Sequence, residues 1–197
     1  MNLIKRIFLL PGLFFLIAFL NCQQKHPLIL IQTEIGDIKV ELYPRQAPIT
    51  ASNFLRYVDE NRFEASSFYR VVRLDNQSNE VKIEVIQGGL GFGESERRLP
   101  PISHETTAET GILHEDGVIS MARDEPGTAA SEFFICIGDQ PELDFGGKRN
   151  PDGQGFAAFG RVIGSMDVVR KILQQPAHGQ MLQPEIRIEK IIRSSTR

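Results

Sequence analysis

The sequence has 197 residues, 41% hydrophobic and 24% charged, with a formal net charge of −3 and a pI near 5.8. That composition excludes a disordered or collagen-like chain and suits one domain. The mild acidity argues against a nucleic-acid binder held by phosphate contacts, so no nucleic-acid partner is expected, and two cysteines are too few for a disulfide scaffold. The chain opens with Lys5 and Arg6 ahead of residues 7–20, which carry no charged or polar side chain. A basic start and a short apolar run read as a secretory signal. The run is shorter than the roughly 20 residues of a membrane span, and Pro11 and Gly12 weaken a spanning helix.

The run ends at Phe19-Leu20-Asn21-Cys22, which resembles the lipobox of bacterial lipoproteins. The resemblance implies a signal peptide over 1–21, acylation of Cys22, a short tether over 22–27 and a single domain over 28–197. It places the protein in the bacterial cell envelope, lipid-anchored at a membrane surface and facing the periplasm or outside. Acyl chains would hold the domain at the surface without spanning it. Cys136 then lacks an intrachain partner, and its apolar neighbours predict a buried, inert thiol.

Further along, residues 28–32 and 37–42 predict strands with Gly36 as the turn residue between them. Residues 47–57 predict a helix, with Ala47, Ala51, Phe54, Leu55 and Val58 at the helical period and Thr50 or Pro48 at its start. Strands are expected over 68–74, 81–86, 118–121, 133–137, 156–162 and 186–192, with a second helix over 167–173. About eight short strands, two helices and glycine turns predict a mostly β fold, a sandwich or closed barrel. An eight-strand barrel is filled by side chains, so a site must lie on its outer face or rim. The long irregular segments 88–110 and 138–155 are the expected functional loops.

Gly88-Gly89-Leu90-Gly91-Phe92-Gly93 lacks the Lys-Ser/Thr of a phosphate loop, and Pro100-Pro101 forbid the helix that should follow. It reads as a turn leaving a strand. His26, His104, His114 and His178 show no metal-ligand spacing, so no metal is expected. Ser120 and Ser131 have no base and orienting partner visible in sequence, which gives a nucleophilic hydrolase no support.

Three segments carry the functional signal: Phe68-Tyr69-Arg70-Val71-Val72, Val85-Ile86-Gln87-Gly88-Gly89, and Gly117-Val118-Ile119-Ser120-Met121-Ala122-Arg123 running into Ser131-Glu132-Phe133-Phe134-Ile135. In this order, with Leu143-Asp144 and Phe159-Gly160-Arg161-Val162, they resemble the cyclophilin family of peptidyl-prolyl cis/trans isomerases over residues 28–192. The resemblance implies a closed eight-stranded antiparallel β-barrel capped by two α-helices, acting on proline-containing polypeptides without cofactor or metal, with a monomer expected. It implies Arg70 as the catalytic residue and Gln87 as the group orienting it. Met121, Phe134 and Leu143 would form the proline pocket, with Ala122 as a backbone contact and Val85 and Phe156 at further pocket positions. Glu84, Val85, Glu142 and Phe156 depart from common family residues, and segment 145–155 is longer than usual. Glu84 is expected near Arg70, to orient or neutralise it. The rebuilt pocket keeps a second reading open: a module that binds proline-containing segments with little catalysis.

Overall fold

The computed structural model describes residues 26–195; the expected signal segment and Cys22 lie outside them. Strands β1 (Leu28–Thr33) and β2 (Gly36–Leu42) form the expected hairpin. Gly36 turns it at φ +141°, where a Cβ would sit 2.8 Å from Val168 Cγ2. Helix α1 (Pro48–Asp59) follows, then β3 (Ser67–Val72), β4 (Val85–Gly89), the one-turn helix α2 (Thr107–Thr110), β5 (Val118–Met121) and β6 (Phe133–Cys136). A 3-10 turn (Pro141–Leu143), β7 (Ala157–Gly164), α3 (Met166–Leu173), β8 (Ala177–His178) and β9 (Met181–Ser194) complete the described chain.

All pairings are antiparallel, in the order β1-β2-β7-β5-β6-β4-β3-β9, and β1 pairs with β9 to close the ring. Eight strands therefore make the barrel, and β8 is a two-residue addition on the edge of β9. Two strand pairs pass close together at glycines: a Cβ on Gly88 of β4 would lie 2.7 Å from the Ser67 carbonyl of β3, and one on Gly160 of β7 2.5 Å from that of Glu41 of β2. The interior is filled by Ile29, Ile31, Val40, Phe68, Ile86, Phe133 and Phe159, all fully buried. Helix α1 closes one end, with Phe54 edge-on to Phe133 at 5.4 Å.

Helix α1 begins at Ala47, which offers no side-chain cap. The orphan amides are met from a distance: Ile49 and Thr50 donate to the Glu105 carboxylate at 3.1 and 2.7 Å. Helix α2 is held by a capping box between Thr106 and Glu109.

The expected strand 81–86 forms only from Val85, and it runs on to Gly89. Residues 81–84 alternate like a strand, but side chains claim their backbone groups: Val81 O accepts from Arg149 and Ile83 O from Gln77. Gly88 and Gly89 belong to the strand rather than to a turn beyond it. Cys136 is fully buried, and burial raises its thiol pKa well above the ordinary value, as the inert-thiol reading requires.

Candidate functional site

A β-bulge aims the central side chain. Phe68 pairs with Gly88 and Arg70 with Gln87, so β3 spends two steps where β4 spends one. Phe68 and Val71 point into the barrel and Val72 points out. Strict alternation from Phe68 would send Arg70 inward; the extra residue turns Tyr69 and Arg70 both to the outer face.

Arg70 is held by neutral oxygens. Its Nε and Nη2 donate to Gln180 Oε1 at 2.9 and 2.6 Å, and Nη1 donates to Gln87 Oε1 at 2.7 Å. A guanidinium carries five N–H donors, so two remain for a ligand. Gln87 Nε2 in turn donates to Tyr69 Oη at 2.8 Å, and Tyr69 Oη donates to Glu132 Oε2 at 2.6 Å. Leu90 N, Gly91 N and Ser131 Oγ also donate to that carboxylate. The chain from Arg70 to Glu132 thus has one polarity throughout, which fixes the Gln87 oxygen toward the guanidinium. Burial lowers the Arg70 pKa, and the neighbouring Tyr69 opposes that shift. Burial, then the Glu132 charge, raises the Tyr69 phenol pKa well above its ordinary value.

Beside Arg70 lies a groove of about 470 Å³ on the outside of the barrel. Its floor is a second apolar cluster, separate from the barrel interior: Val72, Ile83, Val85, Phe134, Cys136 and Leu143, with Ala122 and Phe156 packed against it. Phe156 meets Phe134 edge-on at 5.3 Å, and Arg123 lies 5.2 Å over the Phe156 ring. Arg123 is anchored by both carboxylate oxygens of Asp152 and by Gly155 O. One wall is therefore tied to segment 145–155.

His114 stacks behind Phe134, at 5.9 Å and 15° between ring planes. Its Nδ1 lies 2.7 Å from Asp144 Oδ1 and its Nε2 lies 2.9 Å from Ser120 Oγ. These are the contacts of a Ser–His–Asp relay, which sequence spacing did not reveal. Ser120 is 0% exposed, so no substrate carbonyl reaches its hydroxyl, and the triplet serves as a rigid back wall.

Arg70, Gln87, Val85, Ala122, Phe134, Leu143 and Phe156, the positions the resemblance singled out, all line the groove. Met121 does not. It pairs with Phe133, faces the barrel interior and is 1% exposed, because its strand neighbour Ser120 takes the outward position opposite Phe134. Glu84 forms no hydrogen bond or ion pair with Arg70 among the described residues; its carbonyl accepts from Ile137. Tyr69, Gln180, Glu132 and Arg149 were not foreseen. Tyr69 and Glu132 sit inside the recognised motifs, whereas Gln180 is 110 residues from Arg70 in sequence and gave no local signal.

Residues 28–193 match the family described as cyclophilin type peptidyl-prolyl cis-trans isomerase/CLD. A peptidyl-prolyl cis-trans isomerase of Acinetobacter baylyi is 35% identical over 153 residues, covering 76% of this chain and 73% of that protein. Peptidyl-prolyl cis-trans isomerase B of Escherichia coli is 33% identical over 149 residues, 74% of this chain and 83% of that one. In fold the chain resembles a Cryptosporidium parvum cyclophilin type isomerase crystallised in the presence of the dipeptide Ala-Pro. The TM-score is 0.69 at 24% identity, covering 86% of this chain and 99% of that one.

Proposed function

The chain belongs to the cyclophilin-type peptidyl-prolyl cis-trans isomerase family, and from that premise we propose that Arg70 lowers the barrier to rotation about X–Pro bonds seated in the outer groove. Rotation breaks amide resonance across a barrier of roughly 20 kcal/mol. In the twisted state the proline nitrogen becomes pyramidal and basic, so a fixed donor near it gains strength only there. No covalent step is needed. The proline ring packs against Phe134, Leu143, Val85 and Phe156, which holds the rotating bond beside the guanidinium. Solution of the Cryptosporidium relative with Ala-Pro supports a proline-containing segment as the occupant.

The observation that carries this reading is the state of Arg70. Three of its N–H groups are anchored on Gln87 and Gln180, two are spare, and among the described residues no carboxylate neutralises it. A differential stabilisation of about 3 kcal/mol gives more than a hundred-fold acceleration. The test compares wild type with Arg70→Ala by exchange NMR on a prolyl peptide. A fall in kcat/KM of at least about a hundred-fold is expected. Equal rates in a folded variant would remove Arg70 from its role.

The basic and apolar N-terminal segment ending at Cys22 supports placing this activity in the bacterial cell envelope, on unfolded or flexible polypeptides there. Radiolabelled palmitate incorporated into the wild-type protein and not into Cys22→Ser is the expected result. Equal labelling of the two refutes the anchor.

A further inference from the structure

Four guanidiniums line the groove: Arg70, Arg98, Arg123 and Arg149. Arg98 stands 3.5 Å from Glu132, and Arg123 stands 2.7 Å from Asp152. The other two have no carboxylate partner among the described residues. Arg149, on the long segment that follows the 3-10 turn, uses only Nη1, which donates to Gln77 Oε1 at 2.9 Å and Val81 O at 2.7 Å. Three of its five N–H groups stay unused. Burial lowers its pKa, and the positive charge of Arg70 lowers it further, with no anion offsetting either. Beside it Asn150 also lines the groove, and its Nδ2 is buried without a hydrogen-bond partner.

This end of the groove is therefore all donors: a half-desolvated cation, an orphaned amide N–H, and a second cation close enough to repel the first. A buried donor without an acceptor costs free energy that a ligand oxygen would recover. A planar guanidinium is matched in shape and charge by a carboxylate. The groove is continuous with the apolar floor, so the oxygens would come from the same polypeptide whose proline sits there.

We propose that Arg149 is a specificity-determining residue which, with Asn150, receives the carboxylate of an Asp or Glu flanking the X–Pro bond, so that the groove prefers acidic proline-containing segments. This rests on the reading of the groove as the isomerase site. Segment 145–155 then has a defined use, because its length carries a cation to the groove. Its backbone supports the placement: Arg149 N donates to Glu142 O at 3.1 Å and Gly153 N to Asn150 O at 3.1 Å.

The test is a matched peptide set with Glu, Gln or Lys at each position within two residues of the proline, read by exchange NMR. Wild type is expected to rank Glu above Gln above Lys at one position, with a Glu-to-Gln ratio in kcat/KM of about two- to five-fold at low salt. The ratio should shrink as ionic strength rises. Arg149→Gln should bring it close to one and Arg149→Glu should invert it, while Arg149→Lys keeps its sign. Because Arg149 also braces residues 77 and 81, the readout is the ratio within each variant rather than its absolute rate. A ratio near one at every position in wild type, or a preference that survives Arg149→Glu, overturns the proposal and leaves the isomerase reading intact. Failure of wild type to accelerate any peptide overturns the isomerase reading itself.

Discussion

Replacing Tyr69 by Phe removes one oxygen and cuts the hydrogen-bond chain that orients Arg70. Tyr69 is 2% exposed and Gln87 6%, so water does not readily substitute for the lost hydroxyl. The Gln87 Nε2 donor, now 2.8 Å from the phenol oxygen, would be left buried and unpaired. That costs about 1–3 kcal/mol. A half-turn of the amide would only set its NH2 against the Arg70 Nη1 donor, so the side chain can relieve the cost only by turning away, which withdraws the oxygen that holds Nη1. Losing that one orienting bond, worth about 1 kcal/mol, predicts a fall in kcat/KM of roughly five- to ten-fold. Glu132 keeps Leu90 N, Gly91 N and Ser131 Oγ, so the loop it holds stays in place and the fold survives. Exchange NMR on a prolyl peptide measures the rate, and thermal unfolding in parallel checks the fold. A folded variant with kcat/KM within about two-fold of wild type would refute the claim that the hydroxyl sets the Gln87 amide. The same residue predicts an alkaline effect. Its folded pKa is raised, so its contribution to stability is complete below the unfolded value of about 10 and is lost as pH climbs above it. Wild type should therefore weaken above pH ~10 more steeply than Tyr69→Phe, as read by chemical denaturation across that range.

Gln180→Ala removes the acceptor of two of the three bonds on Arg70. It should lower kcat by about ten-fold with KM little changed, and a normal kcat would show that Gln87 alone suffices. Glu105→Ala strips the N-terminus of α1 of its distant cap at Ile49 and Thr50. A loss of about 2–3 kcal/mol, or roughly 5–10 °C in Tm, is expected by calorimetry. The bond to Arg123 holds the Asp152 carboxyl below its ordinary pKa, helped by the Gln154 amide. Its support is present above the unfolded pKa near 4 and lost as pH falls through the folded value. Acidification toward pH 3 should loosen segment 145–155 in hydrogen exchange, and Asp152→Asn should do the same at neutral pH; an unchanged exchange pattern in that variant would show that the pair does not fasten the wall.

Much of the architecture was readable because its cues are local. The alternation in residues 28–42 around Gly36 gave the first hairpin, and the apolar period through Phe54 gave α1. The site was readable from a resemblance rather than from period or spacing. Arg70 itself shows why: alternation from Phe68 predicts the wrong face, and only the pairing of β3 with β4 reveals the bulge that reverses it. Met121 failed for a related reason. Its motif lies next to the groove, but its strand partner Phe133 belongs to the barrel interior. The alternation of Val81-Lys82-Ile83-Glu84 promised a strand, and bonds from the nearby Gln77 and from Arg149, 68 residues away, took the backbone instead. Gln180 and Arg149 reach the site through tertiary folding alone, which no local pattern encodes.

Around the closed ring, β1 and β6 stand four places apart whichever way one counts. The polypeptide leading into Leu28 thus enters on the flank opposite the strand that carries Phe134. If the anchor proposed at Cys22 is present, it would hold the molecule by the flank away from the groove.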